Sequence, residues 1–304
     1  MRKEDSMYQK YINILKTELV PAMGCTEPIA IAYAAALAQK TLQEDVKHVE
    51  IYASGNIIKN VKSVTVPNTN GRKGILAAAA IGICAGDPDK KLQVISKVKT
   101  EDIQKMEKFL DTVDMQLHRI QSGCALELIV KVFSEKHHAL VHIRNTHANV
   151  VLIKHDEAII YQKEDELQQE TGYSLQMKQI YDFAMSVDVK DVEEILERQI
   201  AYNEAIANEG LRGNYGAGIG NVLLHTYGTA VEVKARAMAA AGSDARMSGC
   251  ELPVIINSGS GNQGMTASLP VLVYAKELHS SHEQLMRALI ISNLTTLYQK
   301  QFIG

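Results

Sequence analysis

The N-terminal part of the chain is a series of apolar segments at helical spacing, interrupted by polar loops. Apolar residues recur at helical spacing from Ser6 to Val20, and the pattern stops at Pro21, where a helix is expected to end. Two Ala-rich segments follow, one after Pro28 and one from Ile75 to Cys84, and both lack a polar face. They predict helices that are buried on most sides. Between them, residues 46–53 alternate as a strand does.

The pattern changes in the middle of the chain. From about residue 99 to residue 161, a helical segment precedes several short β-prone runs separated by turn-like residues, which predicts an antiparallel meander. Beyond this region the pattern is helical again, and Gly210 is a candidate C-cap for one helix. We therefore predict an α+β fold. Residues 1–95 and 170–304 would form a helix-rich domain, interrupted by an antiparallel-sheet α+β insert at residues 96–169.

Composition narrows the class of protein. Hydrophobic residues make up 46% of the 304 residues and charged residues 22%, which is typical of a folded globular protein. Because the chain has no Trp and only four Phe, its core must be built from Ala, Leu, Ile, Val and Met. The formal charge of -3 and the lack of clustered Lys and Arg argue against nucleic acid as a partner.

The sequence also bears on where the protein acts. No apolar run follows the N-terminal basic residues, as it would in a secretory signal, and no stretch reaches the roughly 20 apolar residues of a spanning helix. We therefore expect a cytoplasmic protein with no membrane partner. Four Cys in such a chain are expected to be thiols or ligands rather than disulfides.

The first candidate for chemistry is the hexapeptide Met23–Pro28, which contains Cys25 and Glu27. Cys25 is predicted to lie in a loop that leads into a helix, where unpaired N–H groups and the helix dipole favour a thiolate or a bound anion. Such a thiolate could ligate a metal or exchange protons. The alternative is a half-buried Cys beside a Glu that caps the first turn, and the hexapeptide alone favours this structural explanation.

Three further segments combine Gly with polar donors. Residues 54–60 and 66–74 carry Asn, Thr and Lys beside Gly just before a helix, which suits a carboxylate or phosphate cradle, although the spacing is not that of a P-loop. They are explained equally well as two surface turns. Residues 257–266 place Gly at close intervals between apolar runs, and here a ligand-binding loop is favoured over a plain connection.

Other features carry less chemistry. The ten His include His137, His138, His142 and His147 on predicted strands. They are interpreted as solvated side chains, because neither HExxH nor paired-Cys spacing supports a zinc site. The glycine-rich residues 214–221 do not follow a strand that leads into a helix, so a dinucleotide-binding role is weakly supported.

Six motifs together resemble one known family. They are MGCTEPIA, SGNIIKN, VPNTNGRKG, NEGL, SGCELPV and NSGSGNQGMTASLPV. Their order, from about Met7 to the last residue, resembles the UPF0597 family, which belongs with the serine dehydratase α-chain-like proteins and includes the L-cysteine desulfidases. The resemblance implies a serine dehydratase α-like fold for the helix-rich domain. It implies a bacterial-type [4Fe-4S] lyase of amino-acid catabolism that needs no pyridoxal phosphate and converts L-cysteine to H₂S, ammonia and pyruvate. L-serine dehydratase is the alternative activity.

The same resemblance assigns roles to residues. Cys25 and Glu27 are expected to be catalytic, with Cys25 at the cluster either as a ligand or as the thiol that handles protons beside it. An open iron site can act as a Lewis acid, and Gly-rich loops ahead of helices can hold the substrate carboxylate. The residues expected to bind the small amino-acid substrate are Asn56, Lys59, Asn60, Thr69, Asn70, Gly71, Ser258, Gly259, Ser260, Gly261 and Asn262.

The chain departs from this family at its C-terminal end. Family members continue past Gly304 into a helical region whose cysteines are expected to be the other cluster ligands, and Cys84, Cys124 and Cys250 do not match those positions. Because Cys25 alone cannot hold a cluster, we expect this 304-residue form to lack both cluster and activity. A non-catalytic amino-acid-binding or scaffold protein of the same fold is the other hypothesis. The apolar face of the last helix predicts a homo-oligomer.

Overall fold

Two compact units make up the chain. The structure is a computed structural model, and it describes residues 5–163 and 175–303. The sheet unit is Met23–Leu167, and the helical unit combines Met1–Ala22 with Gln168–Gly304. The helical unit is therefore built from both ends of the chain.

A six-stranded sheet with helices packed on it forms the sheet unit. Its strands are β2 (His48–Ser54), β3 (Asp114–Ile120), β4 (Glu127–Phe133), β5 (His138–Arg144), β6 (Val150–His155) and β7 (Ala158–Gln162). Its described helices are α2 (Thr26–Leu42), α3 (Gly55–Val61), α4 (Gly74–Ala85) and α5 (Thr100–Thr112), with a 3-10 helix at Pro88–Gln93. The strand order is β3-β2-β4-β5-β6-β7. β2 and β3 run parallel, and every other neighbouring pair is antiparallel.

The apolar alternation of the strands explains how the helices pack. Leu128, Val130 and Val132 of β4 are fully buried while the residues between them are not, so one face of the sheet is apolar. The Ala-rich helix α2 packs on this sheet at β4 and β5, and α4 packs beside α2. A Cβ at Gly82 of α4 would lie 2.3 Å from the carbonyl oxygen of Ala32. The two helices can therefore approach this closely only because residue 82 has no side chain.

The sheet unit begins earlier than the predicted insert. β2 lies between β3 and β4, and its Ile51 is paired with Leu117 on one side and with Val130 on the other. Residues 23–95 therefore belong with the sheet, and the first boundary moves from residue 95 to residue 22. The predicted α+β class is confirmed. The sheet is mixed rather than antiparallel, however, and the predicted meander holds only for β4 to β7.

The helical unit contains most of the longer helices. Its described helices are α1 (Ser6–Glu18), α6 (Met177–Ser186), α7 (Glu193–Arg212), α8 (Ile219–Tyr227), α9 (Val231–Met247), α10 (Gly261–Glu277) and α11 (His282–Ile303). A 3-10 helix spans Val189–Asp191, and a two-stranded sheet pairs β1 (Pro21–Met23) with β8 (Pro253–Ile255). Within residues 5–163 and 175–303, no helix is both long enough and apolar enough to cross a membrane.

Aromatic residues hold α1 in the core of the helical unit. Tyr8 and Tyr11 are buried, and the ring of Phe183 in α6 lies 5.7 Å from the first and 5.0 Å from the second, measured between centroids. The Tyr8 hydroxyl donates a hydrogen bond of 2.6 Å to Asp191. The N-terminal helix is thus an internal part of a unit whose other residues come from the second half of the chain.

Gly210 lies inside α7 and does not cap it. The helix continues to Arg212, and a Cβ at Gly210 would lie 2.1 Å from the carbonyl oxygen of Ala241 in α9. Close packing of α7 against α9 therefore explains this glycine, rather than a left-handed conformation at the end of the helix.

Candidate active site

Cys25 occupies the N-cap position of α2, as its place in the sequence predicted. The residue has an extended backbone and is only 5% exposed. Its Sγ donates a hydrogen bond of 2.9 Å to Oε2 of Glu27, which lies in the first turn of the same helix. The Thr26 hydroxyl donates to the same oxygen at 3.2 Å. The thiol and the carboxylate therefore form one pair that can share a proton.

The chain can reach this position because residue 24 is glycine. Gly24 has a φ of +55°, a region that glycine enters easily, and a Cβ there would lie 2.3 Å from Cγ of Pro67. Pro67 belongs to the second predicted segment, residues 66–74. The structure thus brings this segment against the turn that carries the thiol.

Asn60 connects the first of these segments, residues 54–60, to the same carboxylate. Its Nδ2 donates to Oε1 of Glu27 at 3.3 Å, so both oxygens of Glu27 accept hydrogen bonds. The stretch that contains Asn60 is not a loop but the helix α3, and Asn56, Lys59 and Asn60 share one exposed face because they are three and four residues apart. Their proposed contact with substrate stays a prediction.

His147 is a member of this cluster that the sequence did not indicate. It lies half-buried in the loop between β5 and β6. Burial alone would raise the pKa of Glu27, but the hydrogen bond from Cys25, the charge of His147 and the hydrogen bond from Asn60 hold that pKa below its usual value. Glu27 is therefore ionised at neutral pH and can accept a proton.

A second buried carboxylate supports the strand that leads to His147. The side chain of Glu127 at the start of β4 is 7% exposed, and its Oε1 lies 2.9 Å from Nε2 of His142 and 3.2 Å from Nε of Arg144. The Ser122 hydroxyl donates to its other oxygen. His142 and Arg144 are among the last residues of β5 before the loop. Their contacts with Glu127 therefore fix where the loop begins.

The remaining candidates of the second segment differ in their surroundings. Thr69 is 1% exposed, and its hydroxyl lies 2.7 Å from the carbonyl oxygen of Val66 and 3.3 Å from that of Arg72. Its hydroxyl thus holds the turn closed. Asn70 and Gly71 are exposed and both have positive φ angles, of +52° and +82°.

In the helical unit, residues 257–262 form a tight turn that leads into α10. The Asn257 N–H donates to the Ser260 carbonyl at 3.1 Å, and the Ser260 N–H returns a bond of 3.0 Å to the Asn257 carbonyl. Ser258 and Gly259 adopt positive φ angles of +48° and +76° between them. Ser260 is the N-cap of α10, and its Oγ accepts from the Gln263 N–H.

This turn rests on a buried amide network. Asn257 is fully buried and donates to Oδ1 of Asn293 in α11 at 2.9 Å, and Asn293 is hydrogen-bonded reciprocally to Gln199 of α7. Nδ2 of Asn257 donates both to the main-chain carbonyl and to Oδ1 of Asn293, and these two bonds fix the backbone at residue 257. The half-exposed residues Ser258, Gly259 and Ser260 are therefore presented on a fixed support.

Arg246 places a buried positive charge beside this turn. It belongs to α9, is 3% exposed, and donates from Nη1 to Oδ1 of Asn262 at 2.9 Å. A Cβ at Gly261 would lie 2.3 Å from its Nε, so Gly261 is required for the guanidinium to lie here. Together with the N-terminus of α10, this charge favours an anionic group at the turn. The sequence offered no signal for Arg246 because α9 is separated from the turn by β8.

The other three cysteines do not gather around Cys25 in a metal site. Burial raises the pKa of the Cys84 thiol to about 11, and Cys124 donates from Sγ to the Leu126 carbonyl at 3.1 Å. Cys250 belongs to the helical unit. In the part of the chain that the structure describes, no set of three or more His, Cys, Asp or Glu is arranged to hold a metal ion. These residues alone therefore do not fit an iron-sulfur cluster, which needs three or four thiolates.

Known proteins share this sequence over most of its length. The family model of the serine dehydratase alpha chain matches residues 89–304. A UPF0597 protein of Desulfitobacterium hafniense is 51% identical over 311 residues, covering 100% of this chain and 72% of the relative. UPF0597 proteins of Lachnoclostridium phytofermentans and Fusobacterium nucleatum are 50% and 42% identical, covering 98% and 99% of this chain and 72% and 73% of their own lengths.

Proposed function

The chain belongs to the serine dehydratase alpha chain family, and on that premise we propose that it is an amino-acid lyase that acts on L-cysteine. The overall reaction takes L-cysteine and water to H₂S, ammonia and pyruvate. Cα loses its proton, the electron pair of that C–H bond forms the Cα–Cβ double bond, and the Cβ–S bond breaks with its electron pair leaving on sulfur. The aminoacrylate that remains takes up water through its imine and releases ammonia.

The hydrogen-bonded pair of Cys25 and Glu27 is the observation that carries this proposal. Elimination needs one group that takes the α-proton and one that gives a proton to the departing sulfur. The 2.9 Å bond from the thiol to an ionised carboxylate provides two such groups in contact. With Glu27 ionised and the Cys25 thiol protonated, Glu27 can accept the α-proton and Cys25 can protonate the leaving sulfide.

The turn at residues 258–262 is proposed to hold the substrate carboxylate. Its backbone is fixed by Asn257, and the N-terminus of α10 and Arg246 supply the positive field that a carboxylate requires. The exposed face of α3, with Asn56, Lys59 and Asn60, and the exposed turn at Asn70 and Gly71 are proposed as further substrate contacts in the sheet unit. Convergence of these parts around Cys25 stays a prediction.

A [4Fe-4S] cluster is the proposed cofactor of the complete enzyme, with Cys25 as its only candidate ligand among the residues described. The described residues do not supply the other thiolates, so no step of the reaction is derived through the cluster. What this chain contributes is the proton-sharing pair and the anion-binding turn.

Anaerobic assay of the protein expressed from its complete gene tests the proposal. After incubation with iron and sulfide, the purified protein should turn brown and release sulfide and pyruvate from L-cysteine. Cys25→Ser should lose turnover by at least about a hundredfold, as expected for removal of an acid–base group. Cys84→Ser is the control, because Cys84 is a half-buried thiol of α4 that lies outside the cluster, and this variant should keep activity. Unchanged sulfide release by Cys25→Ser would rule out the assigned role.

L-Serine is the second candidate substrate, because the matching family model describes a serine dehydratase. Serine and cysteine differ in one atom, so the ratio of kcat/KM for the two amino acids decides between them. If calorimetry shows that the protein binds cysteine but assays detect turnover of neither amino acid, the protein would instead be a non-catalytic amino-acid-binding member of the family.

A further inference from the structure

The helical unit contains a cleft that none of the residues discussed above lines. It lies among the helices α7, α8, α9 and α10, and its volume is about 440 Å³. Clefts that hold small molecules commonly measure about 300–1,000 Å³, so this one is large enough for a metabolite of amino-acid size. We refer to it as the α7–α10 cleft.

Apolar side chains from all four helices line the cleft. Leu211 comes from α7, Leu224 from α8, Met238 from α9 and Val273 from α10. An apolar lining of this kind favours an aliphatic group, since burying methylene groups away from water is favourable. The surface therefore has room for a short hydrocarbon chain.

Charged residues of both signs also line the cleft. Lys276 is hydrogen-bonded to Glu204, and Nζ of Lys234 lies 3.7 Å from Oε2 of Glu277. All four residues line the cleft, as does the amide of Asn208. The lysines and the carboxylates therefore cancel in charge, so these four residues favour neither a simple anion nor a simple cation.

We propose that the α7–α10 cleft binds an aliphatic α-amino acid in its zwitterionic form. Its side chain would pack against Leu211, Leu224 and Met238. Its carboxylate would pair with Lys276, and its ammonium group would pair with Glu204. The carboxylate and the ammonium of a zwitterion can take the places of the two partners in a Lys–Glu pair, so every charge keeps a partner of opposite sign. A ligand with a single charge would leave one member of that pair without a partner of opposite charge.

This site is separate from the proposed catalytic residues of the helical unit. Gly261 begins α10 and Val273 is the first residue of this helix that lines the cleft, so the turn at residues 258–262 and the cleft lie about 18 Å apart along the helix, at about 1.5 Å per residue. An amino acid in the cleft is therefore a second ligand rather than the substrate. The inference stands whether or not the chain is a cysteine lyase.

Calorimetric titration of the whole chain with three matched ligands tests the proposal. L-Leucine carries both charges, 4-methylpentanoate lacks the ammonium group, and 3-methylbutylamine lacks the carboxylate. L-Leucine should bind at least about tenfold more tightly than either analogue. No binding of L-leucine at about 10 mM, or equal binding of all three ligands, would overturn the proposal.

Variants locate the binding and separate it from the catalytic proposal. Met238→Trp should abolish leucine binding by filling the cleft, and Glu204→Gln should weaken leucine binding without weakening the binding of 4-methylpentanoate. Cys25→Ser and Lys16→Met lie outside the cleft and should bind leucine as the parent chain does. A thermal melt of each variant establishes that it is folded. Unchanged leucine affinity in a folded Met238→Trp protein, or its loss in Cys25→Ser, would place the ligand elsewhere and end the proposal.

Discussion

Glu27 controls the reactivity of Cys25 through one hydrogen bond of 2.9 Å. The carboxylate accepts a hydrogen bond from the thiol and places a negative charge beside the sulfur, and both effects favour the protonated thiol over the thiolate. Glu27→Gln keeps the shape of the side chain and removes the charge. We expect iodoacetamide to alkylate Cys25 about three to ten times faster in this variant at pH 8, measured by peptide mass spectrometry.

A control for this experiment is available in the same unit. Glu44 is an exposed carboxylate at the end of α2, and Glu44→Gln should leave the alkylation rate of Cys25 unchanged. Slower alkylation of Cys25 in Glu27→Gln would mean that the carboxylate activates the thiol, contrary to the geometry.

Cys84 should behave in the opposite way to an exposed thiol. Burial raises its pKa from an ordinary value of 9.0 to about 11, so at pH 8 its thiolate fraction is about a hundredfold lower than in the unfolded chain. Its alkylation in the native protein should be slower by at least that factor than in urea. The raised pKa stabilises the fold below about pH 9, and this contribution is lost as the pH rises towards 11. Stability independent of pH across this window would contradict the assignment.

At the scale of single residues, the sequence could predict contacts only between residues that are close together along the chain. Cys25 and Glu27 are two residues apart at a helix start, so their pairing could be anticipated. His147 and Arg246 could not. His147 comes close to Glu27 only because strands β5 and β6 position the loop between them, and Arg246 reaches Gly261 only because α9 packs beside α10. Contacts of that kind are set by packing, and no local pattern records them.

Close helix packing makes the glycines of the apolar helices informative. Gly82→Ala would put a Cβ 2.3 Å from the Ala32 carbonyl and push α4 away from α2. We expect the free energy of unfolding to fall by about 1–3 kcal/mol, as for other overpacked cores, measured by urea denaturation. An ordinary helical Gly→Ala change would instead stabilise the protein by about 0.5–1 kcal/mol, so an increase in stability would refute the close contact.

A matched substitution on the same helix shows whether the effect is local. Leu76 of α4 is 38% exposed, and Leu76→Ala should change the stability by no more than about 0.5 kcal/mol. An equal loss in both variants would point to weakness of the helix rather than to a clash.

Element type was easier to predict than element partnership. The apolar periodicity identified α1, α2, α4 and the short strands correctly, because each pattern lies within one element. It could not show that β2 pairs with β3 and β4, since that pairing joins segments that lie more than sixty residues apart. α3 was predicted as a loop because Gly55 and Asn56 favour turns, yet Ile57 and Val61 are buried on one face and hold the segment helical.

The separation of the chain into two units leads to a test of independence. Residues 23–163 contain the whole sheet with its helices and should fold when expressed alone. Residues 175–304 lack α1 and with it Tyr8, Tyr11 and Leu15, which are buried in the core. Each such side chain contributes about 1.5–3 kcal/mol, against a typical net stability of about 5–15 kcal/mol. We expect this fragment to lose its cooperative thermal transition.

A synthetic peptide of residues 5–22 should restore that transition. Circular dichroism during heating measures the recovery, and the same peptide with Leu15→Asp should fail because it buries a charge in the core. A cooperative transition in residues 175–304 without any peptide would show that α1 is dispensable.

The prediction that both chain ends belong to one helix-rich unit agrees with the structure except at the first boundary. The apolar face of α1 showed that it must be buried, but not where. Its partner, Phe183, lies more than 170 residues further along the chain, and only the folded structure reveals such a long-range contact.

The split helical unit has a consequence for the order of events on the ribosome. Translation delivers α1 first and its core partners last, so Tyr8 and Tyr11 emerge long before α6 and α11 exist to cover them. The sheet unit is encoded in between and can fold during this interval. Until α6 and α11 have been synthesised, the nascent chain therefore carries an apolar helix α1 that cannot close its core, and we expect a holdase chaperone to bind this segment.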